Sequence, residues 1–247
     1  MVLTMRRAAL VTGAAGGIGS QICRQLAADG FDLTIAYHHN VSGAECVTDT
    51  CRSAGVDAAP ARADLADPEQ VRDLFSAHHR TFGRLDAFVH SAAFRVPKRL
   101  GQTPEPQWRR MFAVNADALH IAYGELAQRM SDGGRIIALS SAIVSIALPG
   151  SAGYGASKAA VEALTRVAAR ELGPRGITAN SIQLGLVNTE TARAAVPEPG
   201  FELYARQSAS GRVGTPIDVA ALVSYLASPF SGWLTSQTIR LDGGFLS

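Results

Sequence analysis

The sequence predicts an α/β protein in which helices cover both faces of a single doubly wound, parallel seven-stranded sheet. Three observations support this prediction. Short apolar, β-branched segments alternate with longer helical patterns along the whole chain. A glycine-rich turn directly follows the first of these segments. No stretch has the composition of an interdomain linker, so residues 1–247 are expected to form one domain.

Seven segments have the length and composition of buried strands. They are mostly β-branched or apolar and are bounded by turn-forming or polar residues. Because helical segments separate them, neighbouring strands are expected to be parallel. The segments are 8–12, 32–37, a strand within 56–65, 85–91, 135–141, 177–184 and 237–241.

Helical patterns fill the intervals between these strands. Asp67 and Pro68 are favourable first residues for the third helix, and Thr215 and Pro216 for the last. The predicted helices span 17–29, 41–54, a segment starting near 67, 104–130, 152–172 and 216–228.

The segment 188–214 is the least regular part of the chain and is rich in alanine, proline, glycine and serine. We interpret it as a flexible flap that closes over an apolar substrate. The apolar residues in and beside it are Leu186, Val196, Phe201, Leu203 and Tyr204.

Composition excludes several classes of protein. Hydrophobic residues make up 47% and charged residues 18% of the chain, a balance typical of folded globular proteins. A formal charge of +2 gives no reason to expect nucleic acid or an anionic membrane as a partner. No apolar run is long enough to span a bilayer and no signal-peptide pattern is present, so a cytoplasmic location is expected.

No metal site or disulfide framework is expected. Cys23, Cys46 and Cys51 are odd in number and show no CxxC spacing. The histidines at 38–39 and 78–79 are adjacent pairs, which do not share one face of a helix.

The glycine-rich turn has the pattern TGxxxGxG, formed by Thr12, Gly13, Gly17 and Gly19. Glycine lets the backbone turn tightly and approach a pyrophosphate, and the N-terminus of the following helix offers free N–H groups to its charge. The position between a strand and a helix favours a dinucleotide site. A purely structural tight turn is the alternative.

The residues after the second strand bear on the choice between NAD and NADP. An acidic residue there would bind the ribose hydroxyls and repel a 2′-phosphate. This chain instead has Tyr37, His38, His39 and Asn40, and its next carboxylate is Glu45. The pattern favours NADPH/NADP over NAD, unless the histidines are simply solvated loop residues.

Asp64 and Leu65 follow the third strand. The Asp64 carboxylate is expected to accept a hydrogen bond from the adenine amino group, and a helix-capping role is the alternative.

Tyr154 and Lys158 are four residues apart on a predicted helix and are separated only by small residues. This spacing places a phenol and an ammonium group on one face. A nearby cation would lower the pKa of the phenol and make proton transfer easier. An unremarkable pair on a surface helix has the same spacing.

Taken together, these segments resemble the single-domain short-chain dehydrogenases/reductases, with greatest similarity to the 3-oxoacyl-(acyl carrier protein) reductases. The resemblance covers nearly the whole chain, and Ser141 precedes Tyr154 by the family's thirteen residues. The matching segments are TGAAGGIG at 12–19, Asp64-Leu65, AVNADA at 113–118, LSSA at 139–142, YGASKAAV at 154–161, RVGTPIDVAALVSYLAS at 212–228 and LDGG at 241–244.

The resemblance implies a Rossmann-type fold and hydride transfer between a nicotinamide and a carbonyl or alcohol. It implies that Tyr154 exchanges the proton, Lys158 binds the nicotinamide ribose and lowers the phenol's pKa, and Ser141 holds the substrate oxygen. It also implies that Asn115 anchors a water linking Lys158 to solvent. Taken alone, Ser141 is an ordinary strand-end hydroxyl and Asn115 an ordinary polar helix residue.

The cofactor, preferably NADPH, is expected to contact residues from several parts of the chain. The residues implied are Thr12, Gly13, Gly17, Ile18, Gly19, Tyr37, His38, His39, Asp64, Leu65, His90, Ser91, Ala92, Tyr154, Lys158, Gly185, Val187 and Thr189.

The resemblance also implies a homotetramer or homodimer, built from the helices at 104–130 and 152–172. The expected substrate is a small ketone, such as a 3-ketoacyl thioester that is free or bound to a carrier protein. The basic stretch 94–100, with Arg109 and Arg110, is expected beside the active-site mouth, where it meets an acidic carrier or is merely solvated.

The chain departs from the family pattern at three places. His90-Ser91-Ala92-Ala93 replaces Asn-Asn-Ala-Gly, Leu184 replaces a proline, and Ser236 replaces a glycine. We hypothesise that these changes adjust the pose or affinity of the cofactor.

Two other functions are compatible with the sequence. One is an NAD(P)-dependent secondary-alcohol dehydrogenase working oxidatively. The other is a nucleotide-binding regulator without catalytic activity, which the presence of both Tyr154 and Lys158 disfavours.

Overall fold

The computed structural model describes residues 6–245. Within them, seven parallel strands form one sheet in the order β3-β2-β1-β4-β5-β6-β7, which confirms the predicted fold class. The strands are β1 Ala8–Thr12, β2 Asp32–Tyr37, β3 Ala58–Arg62, β4 Ala87–His90, β5 Arg135–Ser141, β6 Thr178–Leu184 and β7 Thr238–Leu241.

The helices of this part of the chain lie where the sequence predicts them, with a few additions. The expected helix at 104–130 contains a π-helical turn, Ala113–Asp117, between two α-helical halves, and a short helix follows β5. The helices are α1 Gly17–Ala28, α2 Val41–Ser53, α3 Pro68–Phe82, α4 Glu105–Phe112, α5 Ala118–Arg129, α6 Ile143–Ile146, α7 Ala152–Leu172, α8 Glu190–Ala195, α9 Glu198–Gln207 and α10 Pro216–Ala227.

Both predicted N-caps are confirmed. The Asp67 side chain accepts hydrogen bonds from the first free N–H groups of α3. Thr215 and Asp218 form a reciprocal capping box at the start of α10. These local contacts determine where the two helices begin.

The segment 188–214 differs from its prediction as an irregular region, since it contains α8 and α9. Pro197 directly precedes α9, and its fixed backbone suits a helix start, although proline-rich composition is typical of loops. Phe201 is buried, whereas Leu203 is half exposed.

Two apolar clusters lie on opposite faces of the sheet. The first packs α1, α2 and α10 against the strands, and the second packs α3, α5 and α7 against them. The helices therefore bury both faces of the sheet, as a parallel sheet requires. In the described range, no helix has the length and apolar character needed to cross a membrane.

The strand order reverses direction between β1 and β4, which both lie at the centre of the sheet. Thr12, the last residue of β1, pairs with Ala36 of β2 on one side and with His90 of β4 on the other. This arrangement creates a crevice at the carboxyl ends of the strands, where ligands bind in open α/β sheets.

Candidate active site

The structure brings Tyr154 and Lys158 to one face of α7. The Lys158 ammonium lies 5.8 Å from the centroid of the Tyr154 ring. Lys158 is only 1% exposed, and its Nζ donates a hydrogen bond of 2.7 Å to the carbonyl oxygen of Leu139. Burial lowers the pKa of Lys158 to about 8, because the interior penalises its charged form.

Tyr154 is hydrogen-bonded to the side chain of Ser141, the last residue of β5. Burial raises the pKa of the phenol, while the charge of Arg95 and the Ser141 hydrogen bond oppose the rise. The phenol remains protonated near neutral pH, which suits a proton donor.

Arg95 lies beside the same ring. Its guanidinium carbon is 5.7 Å from the centroid of Tyr154, and its side chain is exposed. The sequence predicts that the surrounding basic stretch lies at the mouth of the site, but it does not single out this residue.

Asn115 lies fully buried in the π-helical turn. Its Oδ1 accepts a hydrogen bond of 2.7 Å from the Phe94 N–H, and its Nδ2 donates to the Phe94 carbonyl at 2.9 Å and to the Ser157 hydroxyl at 2.9 Å. The side chain therefore clamps the loop after β4 and joins it to α7. The sequence singles out Asn115 but contains no local signal for this clamp, because its partners are distant along the chain.

His90 is buried at the end of β4 and bridges the glycine-rich turn and the π-helical turn. Its Nε2 lies 3.2 Å from the carbonyl oxygen of Asn115 and its Nδ1 lies 3.2 Å from the Thr12 hydroxyl. A carbonyl oxygen only accepts, so Nε2 carries the proton and Nδ1 accepts from Thr12. The Thr12 oxygen in turn accepts from the N–H groups of Ser91 and Ala92.

A protonated His90 would break this arrangement, because Nδ1–H would face a hydroxyl that already accepts two hydrogen bonds. Burial, aided by the charge of Lys158, lowers the pKa of His90 to about 3. The imidazole is therefore neutral throughout the physiological range, with one defined tautomer.

A cavity of about 330 Å³ lies at the carboxyl ends of the central strands. Eight of the predicted cofactor residues line it: Thr12, Gly13, Tyr37, His38, His39, Asp64, Leu65 and Ala92. Six further residues line it that the prediction did not include: Ala36, Ala63, Ala93, Phe94, Arg110 and Val114. His90 and Ser91, which were also predicted to contact the cofactor, lie behind the residues that line the cavity. Both are hydrogen-bonded to Thr12 and hold it in place.

The glycine-rich turn has a geometry that only glycine allows. Gly13 has φ of +66°, and a Cβ there would come within 2.8 Å of the Ala92 backbone. A Cβ on Gly19 would lie 2.2 Å from the Gly13 carbonyl oxygen. Gly17, Ile18 and Gly19 form the first turn of α1, whose free N–H groups suit a pyrophosphate. These residues fit a dinucleotide cofactor.

The remaining predicted cofactor residues follow β6. Thr189 caps α8, and its methyl group would lie 3.1 Å from a Cβ on Gly17, so this segment packs against the glycine-rich turn. Val187 forms an isolated bridge with Gly214. Gly185 leaves no room for a side chain, because a Cβ would come within 2.8 Å of the Asp242 backbone.

Arg110, Asp64 and His38 form a polar cluster in the cavity wall. Arg110 Nη2 lies 3.2 Å from both carboxylate oxygens of Asp64, and His38 Nε2 lies 3.6 Å from the same carboxylate. Partial burial acts to raise the pKa of Asp64, but its hydrogen bonds, including that from Arg110, lower it overall. Burial lowers the pKa of His38 although Asp64 opposes this.

Arg110 therefore lies in the cavity wall, not at the active-site mouth where the sequence analysis expected it. Arg109 turns away and pairs with Glu105 on its own helix. Consecutive residues of a helix point about 100° apart, so their adjacency in the sequence already indicates that Arg109 and Arg110 face different directions.

Among the three departures from the family pattern, Ser236 has a clear structural effect. It adopts φ of +62° in the turn before β7, a left-handed conformation that favours glycine. Its N–H donates to the Ala179 carbonyl, which fixes the turn.

Comparisons with known proteins agree with this geometry. A family model described as Enoyl-(Acyl carrier protein) reductase matches residues 13–246. A short-chain type dehydrogenase/reductase of Picea abies is 38% identical over 248 residues, covering 96% of this chain and 92% of that protein. The 3-oxoacyl-(acyl-carrier-protein) reductase FabG of Staphylococcus aureus is 33% identical and covers 98% of this chain and 99% of its own. A solved short chain dehydrogenase from Burkholderia cenocepacia in complex with NADP is 32% identical, with a TM-score of 0.93 over 98% of both chains.

Proposed function

The chain belongs to the short-chain dehydrogenase/reductase family of oxidoreductases, and we propose that it uses NADPH to reduce a ketone to a secondary alcohol. The observation that carries this proposal is the Ser141–Tyr154 hydrogen bond on the face of α7 that also bears Lys158. The bound cofactor supplies the hydride. Tyr154 donates the proton to the substrate oxygen, and Ser141 holds that oxygen.

Lys158 binds the nicotinamide ribose and supplies positive charge beside the phenol in the loaded enzyme. Asn115 keeps the loop after β4 against α7 through its three hydrogen bonds. The raised pKa of Tyr154 keeps the phenol protonated, as a proton donor in ketone reduction requires.

The cavity residues favour NADPH over NADH. His38 and His39 stand where an acidic residue would repel a 2′-phosphate, and His38 is partly exposed. The Burkholderia relative was solved in complex with NADP, which supports the same preference. The glycine-rich turn, the 37–39 segment, the 90–92 segment and the loop after β6 are proposed to surround this cofactor.

A 3-ketoacyl thioester or a related ketone is the proposed substrate, by analogy with the named activity of the Staphylococcus relative. Lys98 and Arg99 are exposed on the loop after β4 and give it positive charge. This charge suits an acidic carrier protein that presents the thioester.

The assembly is proposed to be a homotetramer or homodimer formed through α4, α5 and α7. Trp108 of α4 and Val167 of α7 are exposed at 38% and 53%, which gives these helices apolar surface for a second copy. We further propose that residues 1–247 form a single catalytic domain, that 188–214 acts as its flap, and that the protein is cytoplasmic.

The test is the rate of NADPH consumption with a 3-ketoacyl thioester, measured beside NADH and beside a Tyr154→Phe variant. We expect turnover with NADPH that falls by at least about 100-fold in the variant, because the general acid is lost. Equal rates for the two proteins would refute a role for Tyr154. NADPH binding without turnover would contradict the proposed acyl substrate but still support the proposed cofactor site.

A further inference from the structure

The loop that follows β4 is fixed at two points beside the active site. At its start, both backbone groups of Phe94 are hydrogen-bonded to the buried Asn115 side chain. Four residues later, the Lys98 N–H donates a hydrogen bond of 3.1 Å to the Gly150 carbonyl, just before α7 begins. The residues between these points are therefore held against the helix that carries Tyr154.

Arg95 lies between the two fixed points. Its guanidinium is 5.7 Å from the centre of the Tyr154 ring, and no ion pair or hydrogen bond engages it within residues 6–245. Lys98 and Arg99 follow on the exposed part of the loop. Arg95 thus presents free hydrogen-bond donors next to the phenol.

The hydrogen-bond donors for the ketone oxygen of the substrate are Tyr154 and Ser141. Their side chains are hydrogen-bonded to each other and would both bind that oxygen. A guanidinium binds a second oxygen acceptor well, because its planar N–H groups match a carboxylate and also serve a carbonyl. A substrate oxygen three bonds from the reacting carbon stays close enough to Tyr154 to meet such a group.

We propose that Arg95 binds the acyl oxygen of a 3-oxoacyl substrate, so that the site selects such compounds over simple ketones. The oxygen belongs to a thioester carbonyl or to a free carboxylate, which have the same position relative to the ketone. This inference rests on the proposed ketone reduction and adds the residue that recognises its substrate class.

The experiment compares three ketones with NADPH: the 3-oxobutanoyl thioester of N-acetylcysteamine, 3-oxobutanoate, and pentan-2-one, which has no acyl oxygen. The variants are Arg95→Met, Arg95→Lys and the control Arg80→Met, which alters an exposed arginine in the last turn of α3. For Arg95→Met we expect kcat/KM to fall by about ten-fold or more on the thioester and further on the acid, since charge strengthens the hydrogen bond. On pentan-2-one, kcat/KM of this variant should stay within about two-fold of the value for the unaltered enzyme.

Arg95→Lys should retain part of the kcat/KM on the acid, because lysine keeps the positive charge. It should retain less of the kcat/KM on the thioester, whose carbonyl oxygen is uncharged. Arg80→Met should match the unaltered enzyme on all three ketones. A loss on the acid alone would identify a keto acid as the substrate, and a loss on the thioester alone would identify the thioester.

Equal losses on all three ketones, or no loss on any, would overturn the inference while leaving ketone reduction intact. Failure of the unaltered enzyme to reduce any of them, with NADPH binding demonstrated by fluorescence, would instead count against the proposed function. NADPH binding by each variant shows that the protein is folded.

Discussion

Two buried asparagines hold two loops in the same way at opposite ends of the sheet's parallel strands. Asn115 accepts from the Phe94 N–H and donates to the Phe94 carbonyl. Asn180 accepts from the Gln237 N–H at 3.1 Å and donates to the Leu234 carbonyl at 2.7 Å. Each side chain is at most 1% exposed, and each satisfies backbone groups that would otherwise lack partners.

The two loops differ in what they carry. The Asn115 clamp fixes the loop that holds Arg95 beside Tyr154. The Asn180 clamp fixes the turn before β7, away from the cavity. Burial and hydrogen bonding therefore identify each asparagine as a structural clamp, whereas only the residues next to the clamped loop make the clamp part of an active site.

The largest effect is expected from Asn115→Ala. The substitution removes three hydrogen bonds and leaves buried backbone groups unsatisfied, which should lower the free energy of unfolding by about 2–4 kcal/mol. It should also lower kcat/KM for the ketone by about ten-fold or more, because the loop carrying Arg95 is released from α7. Chemical denaturation and steady-state kinetics on the same preparation measure both quantities.

Asn180→Ala is the matched control. It should cost a similar amount of stability and leave kcat/KM unchanged while the protein remains folded. A parallel loss of activity in this variant would show that the activity simply follows stability, and the comparison would fail.

A second effect concerns His90, which contacts the Asn115 carbonyl. The pKa of His90 is lowered from the ordinary 6.5 to about 3, so below pH 6.5 the unfolded chain binds a proton that the folded chain does not. Stability should therefore fall as the pH falls through this window, by up to about 1.4 kcal/mol per pH unit from this residue.

His90→Asn should flatten this slope, since asparagine does not titrate. Denaturation measured between pH 4 and pH 8 tests the prediction, and the slopes of the two proteins should coincide above pH 7. An unchanged slope at low pH would mean that His90 can be protonated without breaking its contacts with Thr12 and Asn115.

A smaller effect is expected in the Asn180 loop itself. Ser236→Gly should raise the free energy of unfolding by about 1 kcal/mol, because glycine adopts the left-handed conformation without steric cost. Thermal denaturation measures the gain, and kinetic constants should not move. A loss of stability would show that the Ser236 side chain has a compensating contact.

The smallest effect on stability is expected from Arg110→Met. The pair with Asp64 is partly exposed, so its loss should change the free energy of unfolding by less than about 1 kcal/mol. The KM for NADPH should nevertheless change, because both residues line the cavity. Unaltered cofactor kinetics would remove this pair from the proposed cofactor site.

Local signals predicted much of this molecule. The strands, the caps Asp67 and Thr215, and the shared face of Tyr154 and Lys158 each depend on residues close together in sequence. The glycine-rich turn and the residues at the ends of β2 and β3 converge on one cavity, as the parallel arrangement requires.

Contacts between distant segments could not be predicted in this way. The His90 bridge joins three elements whose packing must be known before its hydrogen bonds can be assigned. The inward direction of Arg110 depends on how α4 is rotated against β3. The helices α8 and α9 begin among residues that are typical of loops, so composition concealed them.

The π-helical turn at Ala113–Asp117 also limits where the length of the chain can change during evolution. It is equivalent to a single residue inserted into a helix that was otherwise regular. Deleting one residue there would restore an ordinary helix but rotate one half against the other by about 100°. Either Asn115 or the buried face of α5 would then lose its partners, so we expect lineages of this chain to vary in length at the exposed loops and never at this turn.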